Sequence, residues 1–182
     1  MKILTETKAL NALETLKTDY QNLIKTDYEA KAENCETCPV QGACCLDAHF
    51  VNVHITRLEA VAVRQTLEKL GEKKQREIYR RAEETIEKYN LTSDGDTFLQ
   101  TFACPLFEKG IGCLVHREGK PAPCISHACY KNQADLPPDF LQEQTEKRVE
   151  NLNKRIYGNC WSWLPLPVWL NLVNPFVGRN QN

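Results

Sequence analysis

Eight of the nine cysteines of this 182-residue chain fall between Cys35 and Cys129, in the order Cys35-x2-Cys38-x5-Cys44-Cys45, then Cys104-x8-Cys113-x10-Cys124-x4-Cys129. Thiols this dense cross-link, bind metal or do redox chemistry, and the compartment decides which. The opening Met-Lys-Ile-Leu-Thr-Glu-Thr-Lys carries no apolar stretch long enough for a secretory signal, so the expected location is cytoplasmic, where thiols stay reduced. A C-x2-C pair on a loop lets two thiolates converge on one ion, and pairs from distant sequence complete a four-sulfur shell. Buried free thiols would cover at most one or two of the eight, and that is the preferred reading of the outlying Cys160. A redox pair at Cys35/Cys38 would call for a neighbouring βαβ pattern, which the sequence lacks.

Composition removes other classes. The 23 basic and 24 acidic residues leave a net charge of -1, without the cationic excess of a general nucleic-acid binder. Mean hydropathy is -0.49, and no unbroken apolar run reaches the roughly 18 residues of a membrane-spanning helix. A hydrophobic fraction of 42% suffices for a packed core.

The periodicity predicts mostly helix. Leu10, Leu13, Leu16, Tyr20 and Leu23 mark a helix over about 5–32, and 34–47, with Pro39 and Gly42, reads as loop. Val51, Val53 and Ile55 alternate as a short strand over 49–56. Thr56-x-x-Glu59 is a capping box opening a helix to Leu70, with Gly71 as its stop. A helix over about 72–89 carries Glu72/Arg76, Lys73/Glu77, Glu77/Arg81 and Glu84/Lys88 at i,i+4, the pattern of a solvated face. Two short strands flank Lys109-Gly110-Ile111-Gly112, 117–138 is loop, and 140–157 is a last clear helix. All three tryptophans lie in the tail, where Pro165 and Pro167 forbid one continuous helix. Trp161, Trp163 and Trp169 are expected to pack on the helical layer; docking to a protein partner or a membrane surface is the alternative.

Cys35, Cys38, the Cys44-Cys45 doublet, Thr56-x-x-Glu59, Cys104-Pro-Leu, Cys113-Leu-Val-His, Lys120-Pro121-x-x-Cys124 and Cys129 resemble the YkgJ-type CxxCxxCC cysteine-cluster family, a zinc- or iron-chelating domain. The resemblance covers about residues 35–130. It implies a small metal-binding module with all eight of those cysteines as ligand candidates. Five residues separate Cys38 from Cys44 where the family name implies two, Lys120-Pro121 replaces the usual Arg-Pro, and His116 stands where an aromatic is common. A related cluster in flagellin lysine methylases resembles an iron–sulfur site, which keeps iron, a [4Fe–4S] cluster and a methylase-like activity as alternatives.

The expected fold is therefore α+β, mostly α, with helices around a small cysteine-rich metal-bound core and a short β-hairpin. The expected segments are an N-terminal helix (1–34), the cysteine-cluster domain (35–130), and a C-terminal helix with the Trp/Pro-rich tail (131–182). Zinc is preferred to a [4Fe–4S] cluster because ferredoxin spacings are absent. His49, His54, His116 and His127 read as hydrogen-bond donors to bound sulfur rather than as ligands. Glu59 is absorbed by its capping box, and no phosphate loop, nucleophile elbow or HExxH motif is present, so no catalytic residue is assigned. If the doublet were extended, Cys44 and Cys45 would point to opposite sides. Either one centre then takes only one of them, the preferred reading, or two centres divide the eight thiols.

Overall fold

Short-range signals decide most elements of this chain, and the computed structural model describes residues 4–33, 40–49, 51–158 and 162–177. Cys35, Cys38, Cys160 and Trp161 lie outside the described residues. Seven α-helices form among those described: α1 Glu6–Asp27, α2 Ala43–Leu46, α3 Arg57–Leu67, α4 Glu72–Tyr89, α5 Ala122–Ile125, α6 Asp139–Tyr157 and α7 Leu166–Leu172. The strands are two residues each: β1 His54–Ile55, β2 Phe107–Glu108, β3 Gly112–Cys113 and β4 Leu164–Pro165. The architecture is thus mostly helical with a small hairpin. Among the described residues no helix is long and apolar enough to cross a membrane. The chain groups into two units, Met1–Gln41 with Lys120–Trp161, and Gly42–Gly119 with Ser162–Asn182.

In the first unit, Thr5 caps α1 by accepting a hydrogen bond from the Lys8 amide at 3.4 Å. The buried stripe runs Ala9, Leu13, Leu16, Tyr20 and Ile24, while Leu23 of the expected set is 38% exposed. The helix stops at Asp27, five residues short of expectation, and a single 3-10 turn, Glu29–Lys31, follows. The Leu4 amide donates to Arg155 O at 3.2 Å and the Tyr157 hydroxyl donates to Glu6 at 2.6 Å. Beyond the other end of α1, Ala32 bridges Tyr130 and Lys31 pairs with Asp135. Helices α1 and α6 therefore run antiparallel. Tyr20, Ile24 and Ile125 form a small core with Tyr28 and Leu141 on its margin.

The second unit holds the larger core. Ile55, Val63, Leu67, Ile78, Phe102, Leu106, Val115 and Leu170 are buried in one cluster. The Thr56/Glu59 capping box forms as expected: each side chain accepts from the other's backbone amide, and Glu59 is fully buried. Helix α3 ends at Leu67, and Gly71 is the N-cap of α4 rather than the stop of α3. Helix α4 keeps its expected bounds and buries Ile78, Tyr79 and Ala82. Of its expected ion pairs, Glu72–Arg76 forms at 2.7 Å. Elsewhere the partners differ: Glu77 meets Lys74, Glu84 meets Arg80, and Arg81 turns to Glu108. Long side chains reach i+3 and tertiary neighbours as readily as i+4, so spacing alone does not select among them.

The tail joins this core. Strand β4 pairs antiparallel with β1, His54 opposite Pro165 and Ile55 opposite Leu164. Pro165 sits at the N-cap of α7 and Pro167 in its first turn, where a missing amide costs nothing. Trp169 is buried, its indole N–H donating to Ser162 O at 3.2 Å, and Trp163 is half-buried.

Replacing Thr56 by Ala removes an oxygen that satisfies a helix-start amide beside buried Glu59. The expected loss is about 1 kcal/mol, read as a lower urea midpoint with unchanged slope.

Candidate metal centre

Cys44, Cys45, Cys104 and Cys113, four of the eight candidate cysteines, lie in the second unit, with the other three near enough to Cys45 to act on its thiol. Cys44 and Cys45 do not lie in an extended loop: they occupy α2, a single turn entered through Gly42, whose φ is +88°. The Cys45 and Leu46 amides both donate to Gly42 O at 2.9 Å. This corrects the extended geometry on which opposite-facing thiols were expected. On one helical turn both members of the doublet are able to serve the same centre, and Cys45 hydrogen-bonds the Cys44 thiol.

The partners come from the hairpin and the turn before it. The Cys104 amide donates to Cys45 O at 2.7 Å, and Cys113 is the β3 residue opposite Phe107 in the hairpin. Cys104 and Cys113 both pack against the hydrophobic core. A Cβ on Gly42 would stand 2.2 Å from the tip of the Phe107 ring, so this glycine lets α2 lie against the hairpin. Both conditions, the positive φ and the missing Cβ, are ones only glycine meets without strain.

The electrostatics follow from this crowding. The Cys45 thiol is pushed far above its ordinary range by its hydrogen bond to Cys44, then by burial and by the nearness of Cys104, Cys44 and Cys113. Burial pushes Cys104 up to about 12, with Cys113 adding to the rise and Arg81 opposing it. Protein without metal therefore keeps Cys45 and Cys104 protonated at neutral pH. Among the described residues, no group of three or more Cys, His, Asp or Glu side chains is gathered as a formed metal site. Thiolate sulfur suits a soft cation, and Cys44, Cys104 and Cys113 all lie within electrostatic reach of Cys45.

Arg81 borders the same region. Its Nη1 donates to Phe107 O at 3.3 Å, and its Nη2 stands 3.9 Å from Glu108 Oε2. Lys74 approaches that carboxylate more closely, at 2.5 Å. A cavity of about 250 Å3 beside them is lined by Arg81, Thr85, Lys88, Tyr89, Cys104 and Phe107 among others.

The remaining candidates are placed differently. In the first unit, Cys124 lies on α5, and Cys129 O accepts from the Glu33 amide at 2.7 Å. His54 is buried with Nδ1 2.5 Å from Asn52 O and Nε2 2.7 Å from Thr97 O, so neither nitrogen serves a sulfur. His49 turns to Asp47 at 3.0 Å, and His116 and His127 are exposed. The expected role of His54 as a donor to bound sulfur is thereby corrected, since Asn52 O and Thr97 O take both ring nitrogens, and His49 Nδ1 is likewise taken by Asp47. Sequence reasoning missed Gly42, Phe107 and Arg81. The first stands two residues before the doublet, and the last was absorbed into a charged helix face.

Comparison with family models, with curated proteins and with solved structures returned no match.

Two outcomes follow. Cys104 and Tyr79, each pushed up to about 12 by burial, bind their protons more tightly when folded than unfolded. That stability is complete below the ordinary values of 9 and 10 and is lost as pH rises toward 12. The urea midpoint of metal-free protein should fall across this window, and a flat profile would contradict the burial of these groups. Gly42→Ala should cost about 2 kcal/mol from backbone strain, before any displacement of Phe107. Hydrogen exchange should show the loosening at α2 and the hairpin.

Proposed function

We propose that this chain is a metal-binding protein in which Cys44, Cys45, Cys104 and Cys113 hold one zinc ion through their thiolates. The observation that supports the reading is the nearness of Cys44, Cys104 and Cys113 to the Cys45 thiol within the second unit. The similarity of residues 35–130 to the cysteine-cluster family points the same way. Zinc suits a closed four-thiolate shell, for which it has no need of an open position. Binding would replace the protons that the Cys44 hydrogen bond keeps on Cys45 and burial keeps on Cys104, and would staple α2 to the hairpin. Cys35, Cys38, Cys124 and Cys129 belong to the stretches of the other unit and are proposed as a separate set. The ion's role in this reading is structural or regulatory, and no catalytic residue is assigned.

The test is elemental analysis of full-length protein purified without oxygen. Cys45→Ser and Cys113→Ser should each lose the same ion, whereas Cys160→Ser should keep full loading. A ratio near two, falling to one in Cys124→Ser, would assign the second ion to the other set; a ratio near one restricts binding to the doublet set. Colourless protein containing zinc is expected. Brown protein containing iron and sulfide would replace zinc by an iron–sulfur cluster on the same thiols, and full loading in both Cys45→Ser and Cys113→Ser would overturn the ligand assignment.

A further inference from the structure

We propose that His54 is a charge-dependent latch on the C-terminal tail: as an imidazolium it ties β1 and the Thr97–Leu99 turn together beside β4, and loss of one ring proton loosens that tie. The inference is independent of the metal-binding reading.

The geometry of the ring leads there. His54 is 4% exposed, with Nδ1 2.5 Å from Asn52 O and Nε2 2.7 Å from Thr97 O. Carbonyl oxygens only accept, so both ring nitrogens have to donate. A neutral imidazole carries one N–H and one bare nitrogen, and only the imidazolium carries two N–H groups. A neutral ring in this place would set a nitrogen lone pair against a carbonyl oxygen at hydrogen-bond distance, shut away from water. Phe98 gives a second sign of charge. Its ring stacks on His54 with centroids 4.6 Å apart and planes 26° apart, close enough for an aromatic face to attract a cation. Phe98 is itself 56% exposed, so it covers the imidazole from the solvent side instead of joining the core.

The ring sits where the tail enters the second unit. The Thr97 hydroxyl donates to Trp163 O at 3.4 Å, His54 lies opposite Pro165 across β1 and β4, and the Leu166 amide donates to Val53 O at 3.0 Å. From β4 the chain runs directly into α7, which buries Leu166, Val168, Trp169 and Leu170. Strand β4, helix α7 and the Thr97–Leu99 turn contribute no titratable side chain. The charged groups on the flanks are Asp96, whose Oδ1 accepts from the Phe98 amide at 3.2 Å, and, on α3, Arg57 and Glu59, the latter accepting from the Thr56 amide at 3.2 Å. Histidine is the side chain whose charge ordinarily changes between about pH 5 and 8. The sign follows from the donor count: both bonds are complete on the acid side, and the tie weakens as pH rises and one N–H is lost.

The experiment uses the full-length protein at constant metal content. Heteronuclear NMR spectra of the imidazole rings, assigned with His54→Gln, count the ring protons. Hydrogen exchange of the Leu166 amide, corrected for the intrinsic pH dependence of exchange, reads the tie. Both His54 nitrogens should carry protons at about pH 6, and by about pH 8 one proton should be gone and Leu166 protection should have fallen about tenfold. His54→Gln should show the lower protection throughout, without the fall. A bare His54 nitrogen already present on the acid side overturns the proposal. So does constant Leu166 protection in the parent, or a fall of the same size in His54→Gln, which would assign the pH dependence to another group. If His54→Gln does not fold, the parent's ring spectra and exchange decide by the same signs, with the His54 ring assigned through its contact with Phe98.

Discussion

The stretch from Cys45 to Ile55 is held along its length by backbone hydrogen bonds to two distant parts of the chain. Cys45 O accepts from the Cys104 amide and Val51 O from the Phe102 amide, while Val53 O accepts from the Leu166 amide. Strand β1 then pairs with β4. Val51 and Ile55 are buried, so their backbone groups need protein partners, and these are the partners supplied. One set of obligatory bonds thus seats the C-terminal tail in the core and brings the doublet to Cys104. The larger hydrophobic cluster and the thiol group both depend on it.

The thiols are mounted on apolar packing rather than on a polar loop. Cys104 and Cys113 lie against the cluster that contains Phe102, Leu106 and Val115. Burial favours the protonated thiols, and a bound cation would favour the thiolates; the two tendencies oppose each other at the same atoms. Helix α4 carries Ile78, Tyr79 and Ala82 into the core, and Arg81 of the same turn donates to Phe107 O in the hairpin.

Elements governed by near neighbours were legible from residue order. The bounds of α4, the Thr56/Glu59 capping box, the hairpin around Lys109–Gly112 and the interruption of the tail at Pro165 all rest on contacts within a few residues. Helix α2 was not legible. Four residues entered through a left-handed glycine carry no periodicity, and the stability of this turn comes from Phe107, more than sixty positions away. Gly71 was misread because a glycine after one helix and before another satisfies the signals for both a stop and a cap. His54 was misread because its two acceptors include Thr97 O, a distant carbonyl that residue order does not reveal.

Residue order by itself determined the cysteine inventory, the helical stripes, the caps and the breaks, because each depends on covalent geometry and on side chains within one or two turns. Tertiary structure alone decided that the doublet shares a helical turn, that Cys45 comes within electrostatic reach of Cys104 and Cys113, and that Arg81 leaves its expected partner for the hairpin. Those outcomes depend on which buried backbone groups satisfy one another between residues far apart in the chain, as Val51 with Phe102 and Val53 with Leu166. Many pairings meet that requirement locally, and only packing of the whole unit around Phe102, Leu106 and Leu170 selects one.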